Sequence, residues 1–167
     1  MPVRTSAFGT FTSGGTVTYA NLNDGGGGIL AYGTSAADQT GITTAANLTG
    51  LSTTGGSLTV TPYTGRVLRV SYDFTVTCDS GGGTLADNFG VSIVKDGSTV
   101  KLSQFAPSQK DGVAQAVGAF YDIAPTHAAH VYLIQLGRTG TSAGTFSLRA
   151  TSNRLAEFII EDLGPSF

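Results

Sequence analysis

The chain is expected to be all-β, an antiparallel jelly-roll β-sandwich with an extended N-terminal arm. Three observations carry that expectation. Residues 67–78 alternate strictly between apolar and polar. An Asp-Gly pair, Asp96-Gly97, separates two further alternating runs. Apolar residues nowhere recur with helical spacing. Turn signals fall between about ten short strands spaced roughly 8–12 residues apart, a pattern typical of two packed sheets.

The alternating segment is the clearest element. Leu68, Val70, Tyr72, Phe74, Val76 and Cys78 fall on one face, and Arg69, Ser71, Asp73, Thr75 and Thr77 on the other. Period two places one set in a core and the other in solvent. Cys78 then closes the core face as a small hydrophobe instead of serving as a reactive thiol. Upstream, Leu58 and Val60 alternate with Thr59 and Thr61, and Pro62 to Gly65 supply a tight turn. Downstream, residues 79–84 form a Gly-rich loop, and Phe89, Val91, Ile93 and Val94 begin the next strand. Lys95-Asp96-Gly97-Ser98 then turns the chain into Thr99-Val100-Lys101-Leu102. An Asp-Gly hairpin signals a type I′ turn, whose two central residues need positive φ.

Val113–Ile123 alternates again, through Val113, Gln115, Val117, Ala119, Tyr121 and Ile123. The run His130–Leu136 is apolar on both faces, which predicts cover on both sides, by the core and by a second sheet or another subunit. Phe146–Ala150 and Leu155–Glu161 complete the set, with Glu161 and Asp162 expected at the solvent end of the last strand, before Gly164-Pro165. The first part of the chain reads differently. Phe8, Phe11, Val17 and Tyr19 suggest two short strands, followed by a stretch rich in Gly, Thr and Ala. Residues 1–56 are therefore expected to be an arm with loops, packed on the domain or across a neighbour, and residues 57–167 the jelly-roll body of a single domain.

Composition narrows the function. Of 167 residues only 12% are charged, against a usual share of about 25%. So neutral a surface suits a protein covered by partners, with a soluble monomer bearing a Thr/Ser face as the alternative. Net charge is −2 and the arginines are scattered, so no basic patch points to nucleic acid. A lone cysteine excludes an internal disulfide framework. Met1-Pro-Val-Arg-Thr5 lacks an apolar signal core and no run reaches membrane-spanning length, so assembly in a cytoplasm without membrane insertion is expected.

No catalytic constellation emerges. Gly140-Thr-Ser142-Ala-Gly144 matches the nucleophile-elbow pattern, but that motif needs a following helix and here a strand follows. His127 and His130 are the two histidines, and no second cysteine or nearby acidic pair completes a zinc site. A trimer axis passing near them is the one arrangement that would gather three copies of a histidine around an ion. Asp24, Asp38, Asp79, Asp87 and Asp111 lack the spacing of a calcium loop and read as solvated turn carboxylates. Asn47-Leu-Thr49 is a glycosylation sequon by pattern alone. The expectation is a protein without enzymatic activity, cofactor or metal.

The layout from Leu58-Thr-Val-Thr-Pro-Tyr-Thr-Gly65 through Val67–Val76 to Phe158-Ile-Ile160 resembles the jelly roll of the tumour necrosis factor and complement globular-head superfamily. That resemblance implies a compact trimer with aromatic and aliphatic residues of the inner sheet along its axis. The ending, Leu155-Ala-Glu-Phe-Ile-Ile-Glu-Asp-Leu-Gly-Pro165, resembles the closing strand and tail of minor tail and virion-surface proteins of tailed bacteriophages. It implies a structural role in a virion, in the tail tip or as a capsid decoration, alongside other virion proteins. A host-surface glycan is a further partner, contacted by Tyr63, Tyr121 and loop acids. The expected oligomer interface comprises Tyr132, Ile134 and Leu136 on the doubly apolar strand, with Phe8, Phe11 and Tyr19 in the arm. A cellular or secreted jelly-roll ligand or adhesin is the alternative class.

Overall fold

The computed structural model describes residues 27–43, 46–47, 56–78, 89–105, 112–123, 125–138 and 145–165. They form eleven strands: β1 (Gly28–Ser35), β2 (Gln39–Ile42), β3 (Ala46–Asn47), β4 (Ser57–Val60), β5 (Arg66–Cys78), β6 (Phe89–Lys95), β7 (Ser98–Phe105), β8 (Val113–Ile123), β9 (His130–Arg138), β10 (Phe146–Arg149) and β11 (Ala156–Pro165). Every named pairing is antiparallel.

One sheet runs β1-β11-β5 with β8 on the far side of β5, and β10 and β2 continue it along the other half of β5. The second runs from β3 and β4 on one side of β9 through β6 to β7. Set β2, β3 and β10 aside as short additions. The main strands then alternate between sheets as β1-β11-β5-β8 against β4-β9-β6-β7, the double Greek-key order of a jelly roll. The fold is thus the expected all-β jelly-roll sandwich, with one strand more than the approximate count.

The body extends further upstream than expected. β1 is hydrogen-bonded along β11 from Gly28↔Asp162 to Ser35↔Ala156, so the sheet takes in chain that composition assigns to arm and loops. The Gly and Thr content of that stretch hid the strand. Within the same stretch β2 and β3 also pair into the sheets, whereas residues 1–26, 44–45 and 48–55 of the expected arm, Phe8, Phe11 and Tyr19 among them, lie outside the described residues.

The core lies between the two inner faces. Leu68, Val70, Tyr72, Phe74 and Val76 of β5 all point into it. From the opposite sheet come Leu58 and Val60 of β4, Phe89, Val91 and Ile93 of β6, and Tyr132, Ile134 and Leu136 of β9. Each such large side chain, fully buried, contributes roughly 1.5–3 kcal/mol. Cys78 closes the core face of β5 as expected. The Asp96-Gly97 turn has φ of 49° and 82° at its two residues, the positive pair a type I′ hairpin requires.

β8 reverses the simple reading of its alternation. Its inward residues are Ala114, Ala116, Gly118, Phe120 and Asp122, and its more apolar set faces out. The reason lies on β5. Phe74 is opposite Ala116 and Tyr72 opposite Gly118, so the two rings occupy the space that larger β8 side chains would need. A Cβ at Gly118 would stand 2.3 Å from the Tyr72 hydroxyl.

Candidate functional site

The outer face of the β1-β11-β5-β8 sheet concentrates exposed apolar side chains. On β8 the exposures are 60% for Val113, 57% for Val117, 53% for Tyr121 and 69% for Ile123. Ile29 and Tyr32 of β1 and Leu163 of β11 are about half exposed. Strand register arranges this face in rows. Ala119 is opposite Ser71, which is opposite Ile159, which is opposite Tyr32. One neighbouring row is Tyr121, Arg69, Glu161 and Ile29, and the other contains Val117, Asp73 and Glu157. Ser71 and Ala119 are small, so the middle row forms the floor of a shallow cleft of about 370 Å³.

The polar groups of the cleft are partnered. Arg69 Nη1 lies 3.2 Å from Glu161 Oε2. The Tyr32 hydroxyl donates to Glu157 Oε1 at 3.0 Å, and burial first, then this carboxylate, raises the Tyr32 phenol above its ordinary range. The Gln115 amide donates to Asp73, and Gln115 Oε1 accepts from the Thr75 hydroxyl at 3.2 Å and from Arg154. Glu157 and Asp73 face each other directly across strands, a like-charge pairing that costs stability. An apolar border along β8 and a hydrogen-bonded polar centre make a surface suited to contact.

A second cluster closes one end of the sandwich. Lys95 of β6 lies 2.5 Å from the buried Asp122 of β8, and the Tyr132 hydroxyl of β9 donates to the same carboxylate oxygen. Beside it, His130 Nδ1 is 2.7 Å from Asp96 Oδ2, while Asp96 Oδ1 accepts the Val131 N–H at 2.9 Å. That backbone hydrogen bond, helped by His130 and Lys95 against the opposing effect of burial, holds the Asp96 carboxyl below the usual carboxylate range. His127 Nδ1 is 2.9 Å from the Pro62 carbonyl, and its ring stacks on Tyr63 at 5.6 Å. Among the described residues no group of three or more His, Cys, Asp and Glu could hold a metal ion.

Three expected interface residues require correction. Tyr132, Ile134 and Leu136 are each 0% exposed and sit in the chain's own core, leaving no surface for another subunit to cover. The opposite face of β9 is the more open one, with Val131 38% exposed. Asp162 also departs from expectation. Instead of marking a solvent end it is buried, 2.9 Å from Arg66 Nε, and β11 continues past it to Pro165. Asp38 is not a bare turn carboxylate: it pairs with Arg149 at 2.7 Å and accepts the Ala150 N–H at 2.9 Å.

Sequence reasoning singled out Tyr63 and Tyr121 as contact residues. The structure puts them at separate places, Tyr63 against His127 and Tyr121 on the outer sheet face. Reasoning missed Asp122, whose signal was available: it is the one charged residue of Val113–Ile123 and shares the parity of Ala114, Ala116 and Gly118. Asp24, Asp79, Asp87, Asp111 and the Gly140–Gly144 motif lie outside the described residues, as do residues 48 and 49 of the sequon. Among the described residues no helix is long and apolar enough to cross a membrane.

No protein-family model matches the chain, and no curated protein matches it either. Among solved structures, the chain is similar to one described as the crystal structure of dimeric latent PorU from Porphyromonas gingivalis, at 9% identity and a TM-score of 0.35. That alignment spans 78% of this chain and 13% of the other, and at that score it bears on neither fold nor function.

Proposed function

We propose that this chain is a non-enzymatic structural protein that assembles with copies of itself and with neighbouring proteins on a tailed-bacteriophage virion. The observation that carries the reading is the outer face of the β1-β11-β5-β8 sheet, where Val113, Val117, Tyr121 and Ile123 are all more than half exposed. Exposed apolar side chains gathered on one face are a mark of an interaction surface. The low charge of the chain supports the same reading, because little of its surface is committed to solvent by ionic groups. The virion assignment is supported by the resemblance of Leu155–Pro165 to the closing strand of phage tail and surface proteins.

Two measurements test it. Mass spectrometry and antibody labelling of purified particles should find the chain on the virion, and its absence from particles of a phage that encodes it would overturn the location. In solution, Tyr121→Glu combined with Ile123→Glu should lower the assembled mass in light scattering while leaving the fold intact. Unchanged assembly in that variant would remove this face as the contact.

A further inference from the structure

Resting on the reading that the chain assembles with copies of itself, we infer that β8 is the joining edge. Two copies of β8 pair antiparallel about a two-fold axis at Gly118 and fuse two sheets into one continuous sheet. Among the described residues, β8 is hydrogen-bonded on one side alone, to β5. Unpaired strand edges template pairing with other chains, and natural proteins blunt them with short strands, bulges, lysines or prolines. The other sheet edges are blunted in these ways. β2, β3 and β4 have four residues or fewer. β1 carries an irregularity between Ile29 and Ala31. β7 carries exposed Lys101 and a register shift against β6. β8 has none of these four. It runs in eleven consecutive pairs from Val67↔Ile123 to Thr77↔Val113 without a shift, and its one charge, Asp122, of the inward-pointing kind that can also guard an edge, is already neutralised by Lys95.

Backbone parity fits the pairing. The Gly112 carbonyl accepts the Cys78 N–H, so even-numbered positions of this strand direct their backbone groups to β5. Odd-numbered positions, whose side chains face out, therefore direct theirs to the open edge. With the axis at Gly118, Val117 exchanges both backbone hydrogen bonds with Ala119 of the second copy. Gln115 does so with Tyr121, and Val113 with Ile123. All three pairs are uncharged and mostly apolar, and on the inner face each Asp122 meets Ala114, so no like charges oppose. The unit defined by this edge is a two-fold pair, in contrast to the trimer implied by the jelly-roll resemblance.

The test measures the mass of the full chain by light scattering and native mass spectrometry at micromolar concentration. Ala119→Pro removes an N–H that faces the open edge and leaves the ladder to β5 intact. Ala119→Thr adds bulk on the same face but keeps the N–H. Val117→Lys places a charge on the edge and covers the case in which the proline variant fails to fold, which circular dichroism and thermal melting report. The expected result is a mass of two chains for the native protein and for Ala119→Thr, and of one chain for folded Ala119→Pro and Val117→Lys. A two-chain mass that persists in folded Ala119→Pro and Val117→Lys overturns the edge. So does equal loss in the Thr and Pro variants, which would assign the contact to the sheet face. A trimer or larger assembly unaffected by the substitutions overturns the edge and leaves self-association standing. A single-chain mass for the native protein overturns both.

Discussion

The Lys95 ammonium lies 2.5 Å from Asp122 Oδ2 and joins β6 of one sheet to β8 of the other. Tyr132, from β9, donates its hydroxyl to the same oxygen. Among the described ion pairs this is the one that crosses between the sheets; Arg66–Asp162 and Arg69–Glu161 each lie within one sheet. The carboxylate enters an otherwise apolar interior because two donors from the facing sheet satisfy it.

Removing the cation should therefore be costly. Lys95→Met leaves Asp122 without its counter-charge and should destabilise the fold by about 2–3 kcal/mol, somewhat below the fully buried range because water reaches part of the lysine. Lys95→Met with Asp122→Asn should recover part of that loss, since the remaining group is neutral and still accepts from Tyr132. Urea denaturation of the two variants measures both. Equal stability of Lys95→Met and the native chain would mean that the pair does not hold the sheets together.

Tyr132 predicts an alkaline limit. Burial, followed by the hydrogen bond to Asp122 and the negative charges of Asp122 and Asp96, raises its phenol above the ordinary range. The folded state thus keeps the proton where the unfolded chain releases it. The associated stability is fully present below the ordinary tyrosine value of about 10 and declines as pH rises beyond it. Tyr132→Phe should lower stability at neutral pH by about 1.5–3 kcal/mol, the value of a hydrogen bond to a charged group, and should flatten the decline above that pH. Denaturant midpoints on either side of the transition read both effects.

Asp96 predicts the acid limit. The Val131 N–H, opposed by burial and helped by His130 and Lys95, holds its carboxyl below the usual range. A depressed carboxylate stabilises the fold above its unfolded value of about 3.9 and loses that contribution as pH falls through the lower folded value. Asp38 acts in the same direction through the Ala150 N–H and Arg149. Asp96→Asn retains a residue compatible with the positive φ of the turn and should reduce the slope of melting temperature against pH below pH 4. An unchanged slope would show that other carboxylates govern acid unfolding.

Much of this architecture is legible in the sequence because period two and turn chemistry are local. Leu68 to Cys78 declare their face, and Asp96-Gly97 declares its turn. What is not legible depends on partners distant in the chain. β1 looks like loop because Gly28 and Gly33 carry no pattern, and its strand state comes from pairing with β11. The outward set of β8 looks like core because its residues are apolar, and only Tyr72 and Phe74 across the sheet decide otherwise. Tyr132, Ile134 and Leu136 look available because both faces of β9 are apolar, whereas the jelly-roll path turns that set inward. The exposed apolar face is assembled from β1, β5, β8 and β11, so no single segment announces it.

Gly118 tests the packing that turns β8 inside out. Tyr72 stands opposite it, with its hydroxyl 2.3 Å and its ring carbon Cζ 2.5 Å from the place a Cβ would take. Tyr72 is 2% exposed, so its ring cannot swing into solvent to make room. Gly118→Ala must shift either the ring or β8 itself and should cost about 1–3 kcal/mol, the range for overpacking a filled core. In an open strand the same substitution would instead gain stability, because alanine has less backbone freedom to lose than glycine. The sign of the change is therefore the readout. A loss in urea denaturation supports the Tyr72 ring as the filler behind β8, and a gain would mean that the ring lies elsewhere. Tyr72→Leu in the Gly118→Ala background should then recover stability relative to Gly118→Ala alone, because the shorter side chain vacates the contact.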